Sequence, residues 1–191
     1  MLIRRMISIV AVAAMAGGLA GCGAGTTVFL HDEYNFQFVE RVAVIPFDNL
    51  ASEPGAGARA TSIFISELLA AKAFDVVEPG EVTKAMVKFA SLKTSELTTE
   101  QIMELGKQLK AQGVFFGTVT ESAGTRSGST TINTVSMVVR LVETETGQTI
   151  WSATGGAGGR GFWGSLFGTS GKSASEVTRD CVRKLLGTLI H

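Results

Sequence analysis

The length, composition and charge of the chain are those of one small globular protein. Its 191 residues are 45% hydrophobic, which is enough for a single core, so no second domain is needed. Lysine and arginine together number 17, as do aspartate and glutamate, and this balance excludes the basic footprint of a nucleic-acid-binding protein.

The first 21 residues have the pattern of a secretory signal peptide. Arg4 and Arg5 form the basic start, and the apolar run at 6–20 is too short to span a bilayer comfortably. Removal of residues 1–21 takes away these two arginines from the 17 basic residues, so the mature chain carries 15 basic and 17 acidic residues. The resulting small negative charge offers no attraction for nucleic acid.

The motif that ends this run, Leu19-Ala20-Gly21-Cys22, resembles the lipobox of bacterial lipoproteins. There, small residues admit the signal peptidase and the cysteine receives a diacylglyceryl group. The resemblance implies a firm lipid anchor on Cys22, because several acyl chains on one residue hold a protein stably at a membrane. Gly23 differs from the aspartate of an inner-membrane retention signal, which favours the periplasmic face of the outer membrane. The alternative is an ordinary secretory signal in which Cys22 is incidental.

The mature chain shows an alternation of strand and helix patterns. Apolar, β-branched runs indicate strands, whereas apolar residues at helical spacing behind capping motifs indicate helices. In chain order we predict a strand at 41–47, a helix at 58–72, a strand at 74–78, helices at 80–90 and 98–111, strands at 114–121, 132–143 and 148–153, and a C-terminal helix behind Ser173. Residues 22–38 are assigned to the lipidated N-terminus and tether, and 124–131 to a polar, solvated loop.

This order predicts the fold class and the domain boundaries. A βαβ unit followed by helices and a three-stranded meander is typical of an α/β domain with a mixed sheet. We therefore expect a single domain at 39–191, with about five strands and flanking helices, preceded by a signal peptide at 1–21. Cys181 lies on the apolar stripe of the last helix and has no partner once Cys22 is lipidated, so we expect a buried thiol.

No set of residues has the spacing of a metal or catalytic site. The only histidines are His31 and His191, and neither a metal-binding motif nor a nucleophile elbow occurs. Glu143 and Glu145 flank a predicted turn, where we expect solvated carboxylates. We therefore predict no catalytic residue, no metal and no cofactor.

Three glycine patterns imitate nucleotide-binding motifs imperfectly. Gly55-Ala56-Gly57 lies between a strand and a helix, but the seven residues 48–54 separate it from the strand, which a dinucleotide fingerprint does not allow. The pattern at 156–161 has no helix directly behind it, and Gly171-Lys172-Ser173 lacks the first glycine of a P-loop. A nucleotide- or small-ligand-binding domain that uses the Gly55 loop remains an alternative hypothesis.

A glycine-rich segment at 155–171, which we name the Gly/aromatic segment, contains eight glycines and four large apolar side chains: Phe162, Trp163, Leu166 and Phe167. Such a backbone is costly to order, and such side chains are costly to leave in water. One interpretation is a long loop that packs on its own domain. The other is a contact surface for lipid or for a neighbouring subunit, since exposed aromatic patches mark interfaces.

The lipobox, together with the strand motifs at 42–49, 74–78, 113–119 and 138–151, resembles the CsgG-type and penicillin-binding-protein-activator-like outer-membrane lipoproteins. The resemblance implies a periplasm-facing α/β domain without enzymatic activity. In the curli channel of this group, two long hairpin insertions build a transmembrane barrel. At those positions this chain has 124–131, which is short and polar, and 155–171, which lacks the alternation of membrane strands. The resemblance therefore implies a non-channel member.

Three hypotheses for function follow. The first is a non-catalytic outer-membrane lipoprotein that assists export or assembly of a cell-envelope polymer, with a homo-oligomeric ring as one form. The second is a monomeric adaptor that binds and regulates a periplasmic cell-wall synthase. The third is the nucleotide- or small-ligand-binding domain. In the first two, the partners are the membrane through Cys22 and either a second copy or an envelope assembly protein, with no nucleic acid.

Overall fold

The computed structural model describes residues 25–89, 97–127, 130–158 and 171–190. Within them, seven strands form one mixed sheet in the order β1-β7-β6-β5-β2-β4, and β3 pairs with β5. The strands are β1 (Thr27–Leu30), β2 (Arg41–Val44), β3 (Asp48–Asn49), β4 (Asp75–Val76), β5 (Gly113–Ser127), β6 (Thr130–Glu143) and β7 (Thr149–Gly158). The helices are α1 (Ala56–Ala71), α2 (Pro79–Met86), α3 (Thr99–Leu109) and α4 (Ala174–Leu186), with short 3-10 helices at Phe36–Phe38 and Val87–Phe89. The predicted α/β domain with a mixed sheet is confirmed.

Two capping boxes begin α3 and α4, as predicted. The Thr98 hydroxyl accepts a hydrogen bond from the backbone N–H of Gln101, and the Gln101 side chain accepts one from the backbone N–H of Thr98. Ser173 and Glu176 make the same reciprocal pair at α4. Each pair satisfies two backbone donors that a helix N-terminus otherwise leaves free, so both helices begin where their sequence motif predicts.

One face of the sheet is covered by α1 and α4. Phe64 of α1 and Leu185 of α4 are fully buried and belong to one apolar cluster with Phe115 of β5 and Trp151 of β7. Cys181 of α4 is also fully buried in this cluster, and burial raises the pKa of its thiol to about 11. The expectation of a buried thiol is confirmed.

The opposite face is covered over only half of its width. Helices α2 and α3 bury Val82 and Leu105 against Val114 and Phe116 of β5. Among the described residues, this second apolar cluster contains only Val142 of β6 and no residue of β7 or β1. The part of this face formed by β6, β7 and β1 therefore carries no helix of the described chain.

The sheet is larger than the five strands that we predicted. β1 lies within the segment assigned to the tether and pairs with β7, and β3 resumes pairing after Pro46 interrupts β2. The predicted polar loop at 124–131 is also wrong, because β5 and β6 stay paired up to Ser127 and Thr130. Threonine suits an extended, paired backbone, so a long hairpin replaces a short one. Among the described residues, no helix is long and apolar enough to cross a membrane.

Candidate functional site

The Gly55 loop, which imitates a dinucleotide fingerprint, has a structural role in this fold. Gly55 has a φ of +79°, a left-handed conformation that glycine adopts without strain, and it directly precedes α1. A Cβ atom on Gly57 would lie 2.6 Å from the carbonyl oxygen of Phe47, so this glycine lets the helix approach the strand closely. The carboxylate of Glu53 lies in the same loop, where its charge disfavours a phosphate. The geometry of this loop therefore gives no support to nucleotide binding.

A network of polar side chains ties this loop to the sheet and to α4. The Arg59 guanidinium donates two hydrogen bonds to the Glu53 carboxylate, at 2.6 and 2.9 Å. It also donates to the hydroxyls of Ser122 and Thr178. Ser122 in turn donates to Glu53 at 2.6 Å. Hydrogen bonds from Arg59 and then Ser122 lower the pKa of Glu53 from 4.5 to about 2.

This network predicts a pH-dependent contribution to stability. A carboxylate whose pKa is depressed by folding stabilises the folded state above its unfolded pKa, near 4.5, and loses this effect as the pH falls towards 2. We expect Glu53→Gln to lower the free energy of unfolding at pH 7 by about 1 kcal/mol, because partial exposure screens the pair. Below pH 3 the variant and the wild type should converge. Urea unfolding at a series of pH values measures this.

The matched control is Glu104→Gln. Glu104 forms an ion pair with Lys88 in which both side chains are well exposed. Such pairs contribute little, so its unfolding curve should follow the wild type at every pH. A Glu53→Gln deficit that persists unchanged at pH 2.5 would contradict the linkage argument.

Two other motifs singled out from the sequence also have structural roles. Lys172 of the P-loop imitation pairs with Asp180, while Ser173 caps α4. Glu143 is buried, and its carboxylate accepts hydrogen bonds from the backbone N–H groups of Glu145 and Thr146. The expectation of a solvated carboxylate is therefore wrong for Glu143, which holds the β6–β7 turn, and right for the exposed Glu145. Among the described residues, no cluster could hold a metal ion.

The part of the sheet that no described helix covers presents a definable surface. Cross-strand pairing places Arg140 of β6 opposite Ser152 of β7, and Ser152 opposite Phe29 of β1. Residues directly opposite each other point to the same face of a sheet. The neighbouring row holds Val138 and Thr154. We call the surface formed by Arg140, Ser152, Phe29, Val138 and Thr154 the uncovered face.

Arg140 is the charged group at the centre of this face. Its guanidinium carbon lies 4.8 Å from the centroid of the Phe116 ring, a cation–π contact. Its side chain is partly buried, and this burial lowers the pKa of the guanidinium. Within the described part of the chain, Arg140 has neither an ion pair nor a hydrogen bond from its side chain. No sequence motif assigns a role to this arginine, and its only signal is that it interrupts the apolar run Val138-Val139-Arg140-Leu141-Val142.

β1 forms the open edge of the sheet beside this face. Its Val28, Phe29 and Leu30 are between 42 and 50% exposed, and they carry no charge. Edge strands in monomeric proteins are commonly protected by lysine, proline or a bulge, and β1 has none of these. The edge and the uncovered face together form a continuous surface that is suited to contact with another protein.

The lipidation motif, Leu19, Ala20, Gly21 and Cys22, lies outside the described residues, as do Phe162, Trp163, Leu166 and Phe167 of the Gly/aromatic segment. The neighbours of these residues in sequence are described. β1 begins at Thr27 opposite Thr154, β7 continues to Gly158 opposite Thr134, and the amide of Asn133 donates to the Lys172 carbonyl. The described residues on either side of the 159–170 segment therefore lie towards the end of the sheet where the chain enters β1.

The sequence of the chain matches the model of one protein family. The family model described as peptidoglycan-synthase activator LpoB matches residues 29–156, which reach from β1 to β7. The family that matches is that of the synthase activators. The CsgG-type part of the resemblance is not supported by this match. No curated protein matches the chain in sequence.

Solved structures show the same fold. A PelC dodecamer from Paraburkholderia phytofirmans is 20% identical with a TM-score of 0.60, covering 87% of this chain and 99% of that chain. Lipoprotein GNA1162 from Neisseria meningitidis is 17% identical with a TM-score of 0.57, covering 78% and 97%. The hypothetical protein CT253 from Chlamydia trachomatis is 14% identical with a TM-score of 0.53, covering 79% and 95%. At these identities the likeness shows the fold alone.

Proposed function

The chain belongs to the family of the peptidoglycan-synthase activator LpoB, and from this membership we propose that it is a non-catalytic envelope lipoprotein that assists polymer assembly by binding a periplasmic cell-wall synthase. The observation that carries the proposal is the family match over residues 29–156. It spans the uncovered face and the open edge of β1. An activator acts through contact with its enzyme, so an exposed protein-binding surface is what this function requires.

We propose that Cys22 carries the lipid anchor after cleavage of residues 1–21, and that residues 23–26 join it to β1, the first strand of the sheet. Four residues lie between Cys22 and Thr27, and the five steps along the chain give a reach of about 17 Å when it is extended. This short reach supports an orientation in which the end of the sheet that holds Thr27, Thr154 and Gly158 faces the periplasmic side of the outer membrane.

This orientation bears on the Gly/aromatic segment. The segment leaves β7 after Gly158 and returns before Gly171, at the end of the sheet that would face the lipid. We propose that Phe162, Trp163, Leu166 and Phe167 contact either the membrane or a neighbouring subunit. The position of the flanking residues supports the membrane, because tryptophan and phenylalanine partition into the lipid interface.

The test uses the detergent-extracted lipoprotein and the purified peptidoglycan synthases of the same organism. We expect the lipoprotein to bind one of them and to raise its rate of glycan-strand synthesis several-fold at saturating concentration. The lipoprotein alone should make no product. Product formation without a synthase would contradict the non-catalytic role, and the absence of both binding and stimulation would contradict the adaptor role.

The second candidate is a homo-oligomeric ring that assists polymer export, which the uncharged, exposed edge of β1 favours. Light scattering on the detergent-extracted protein distinguishes the two candidates. A large discrete mass that falls to the monomer value when Phe162, Trp163 and Phe167 are replaced by serine would indicate a ring built through the Gly/aromatic segment. A monomeric mass in both proteins would exclude the ring.

A further inference from the structure

The side chain of Arg140 is an unusual feature of the uncovered face. A guanidinium that is partly withdrawn from water loses hydration, and proteins compensate for this with a carboxylate or with hydrogen bonds. Among the described residues, Arg140 gains only the Phe116 ring, at 4.8 Å. Within the described part of the chain, no carboxylate compensates this charge. Other arginines are paired: Arg41 with Asp75, Arg59 with Glu53 and Arg183 with Glu67.

The surroundings of Arg140 fit a protein surface. Ser152 and Thr154 are small and uncharged, Val138 is partly exposed, and Phe29 offers an aromatic ring that is 50% exposed. Protein interfaces concentrate their binding energy in aromatic and arginine side chains within a flat surface. A planar guanidinium can donate two parallel hydrogen bonds to a carboxylate.

We propose that the uncovered face is the docking surface for the synthase, and that its central contact is a carboxylate that the synthase presents to Arg140. The inference rests on the proposed function and identifies the site through which it acts. Phe29 flanks this contact and is covered by the same partner. Docking supplies a negative charge that Arg140 does not meet among the described residues of this chain.

The experiment compares Arg140→Met with Arg126→Met in the full lipidated protein. Methionine keeps an unbranched side chain as far as the position of Nε but removes the charge and the hydrogen-bond donors. Arg126 is an exposed arginine further along the same hairpin and is the matched control. The readouts are the Kd for the synthase by biolayer interferometry and the Tm of the free lipoprotein.

We expect Arg140→Met to raise the Kd at least 10-fold and to leave the Tm unchanged or higher by about 1–3 °C, because an uncompensated charge is removed. Arg140→Lys should recover only part of the affinity, since an ammonium lacks the planar fork. Arg126→Met should change the Kd less than twofold.

Four results would overturn the inference, and they separate it from the proposed function. An unchanged Kd for Arg140→Met would show that the synthase does not dock on Arg140, while the proposed adaptor role would stand. A Tm lower by 5 °C or more in Arg140→Met would assign Arg140 a structural role. A smaller oligomeric mass in that variant would make a second copy of the chain the occupant. If the wild-type protein and Arg126→Met both fail to bind the synthase, the proposed function falls together with this inference.

Discussion

Replacing Cys22 with serine is expected to release the protein from the membrane fraction into the soluble periplasmic fraction. Only a thiol at this position accepts the diacylglyceryl group, and each buried CH₂ of the acyl chains contributes about 0.8 kcal/mol to membrane binding. Loss of several chains removes far more binding energy than any single surface contact supplies. Fractionation of cells followed by immunoblotting, with mass spectrometry of the mature N-terminus, measures the effect.

The matched control is Cys181→Ser. Cys181 is fully buried in α4, and its thiol donates to the Gly155 carbonyl at 3.5 Å. This variant should stay in the membrane fraction with its lipid intact. If Cys22→Ser fractionates with the membrane as the wild type does, the lipid anchor is wrong, and the ordinary secretory signal becomes the better interpretation.

The second large effect is expected from Trp151→Ala, which should lower the free energy of unfolding by about 3–5 kcal/mol. Trp151 is fully buried and packs edge-to-face on Phe115, with ring centroids 6.2 Å apart. Its indole N–H donates to the Thr188 hydroxyl at 3.1 Å, which ties β7 to the end of α4. A loss of this size is a large fraction of the stability of a small domain, so the variant should unfold at a markedly lower temperature. Calorimetry or urea unfolding followed by circular dichroism measures it.

Two further variants help to assign this loss of stability. One tests the hydrogen bond of the indole, and the other is a control at an exposed side chain. Thr188→Val removes only the partner of the indole and should cost about 1–2 kcal/mol, because a buried donor is left without an acceptor. Leu50→Ala, at a side chain that is 69% exposed, should change stability by less than about 0.5 kcal/mol. If Trp151→Ala proves no more costly than Leu50→Ala, the packing of β7 against α4 is not what holds this end of the sheet.

Much of the fold could be predicted because its signals are local. The capping motif at Thr98 and the one at Ser173 each lie within four residues, and a local hydrogen-bond pattern begins a helix wherever it occurs. The position of Cys181 on an apolar stripe likewise follows from helical spacing alone. The alternation of strands and helices along 39–191 was enough to predict the α/β class.

What could not be predicted depends on partners that are distant in sequence. β1 is a strand because Thr27–Leu30 pairs with 151–154, and its four residues carry too little pattern to show this on their own. The hairpin at 124–131 is polar, and it is the pairing of β5 with β6 that makes it sheet. The network of Glu53, Arg59 and Ser122 joins residues up to 69 positions apart.

The sequence by itself determined the signal motif, the helix starts, the buried stripe of the last helix and the family pattern, because each is carried by neighbouring residues. Only the tertiary structure decided which part of the sheet the helices leave bare. Arg140 alternates along β6 with the buried Val139 and Leu141, which places it on the opposite face. Whether the described helices cover that face depends on where α2 and α3 pack, and they pack over β2 and β5 rather than over β7 and β1.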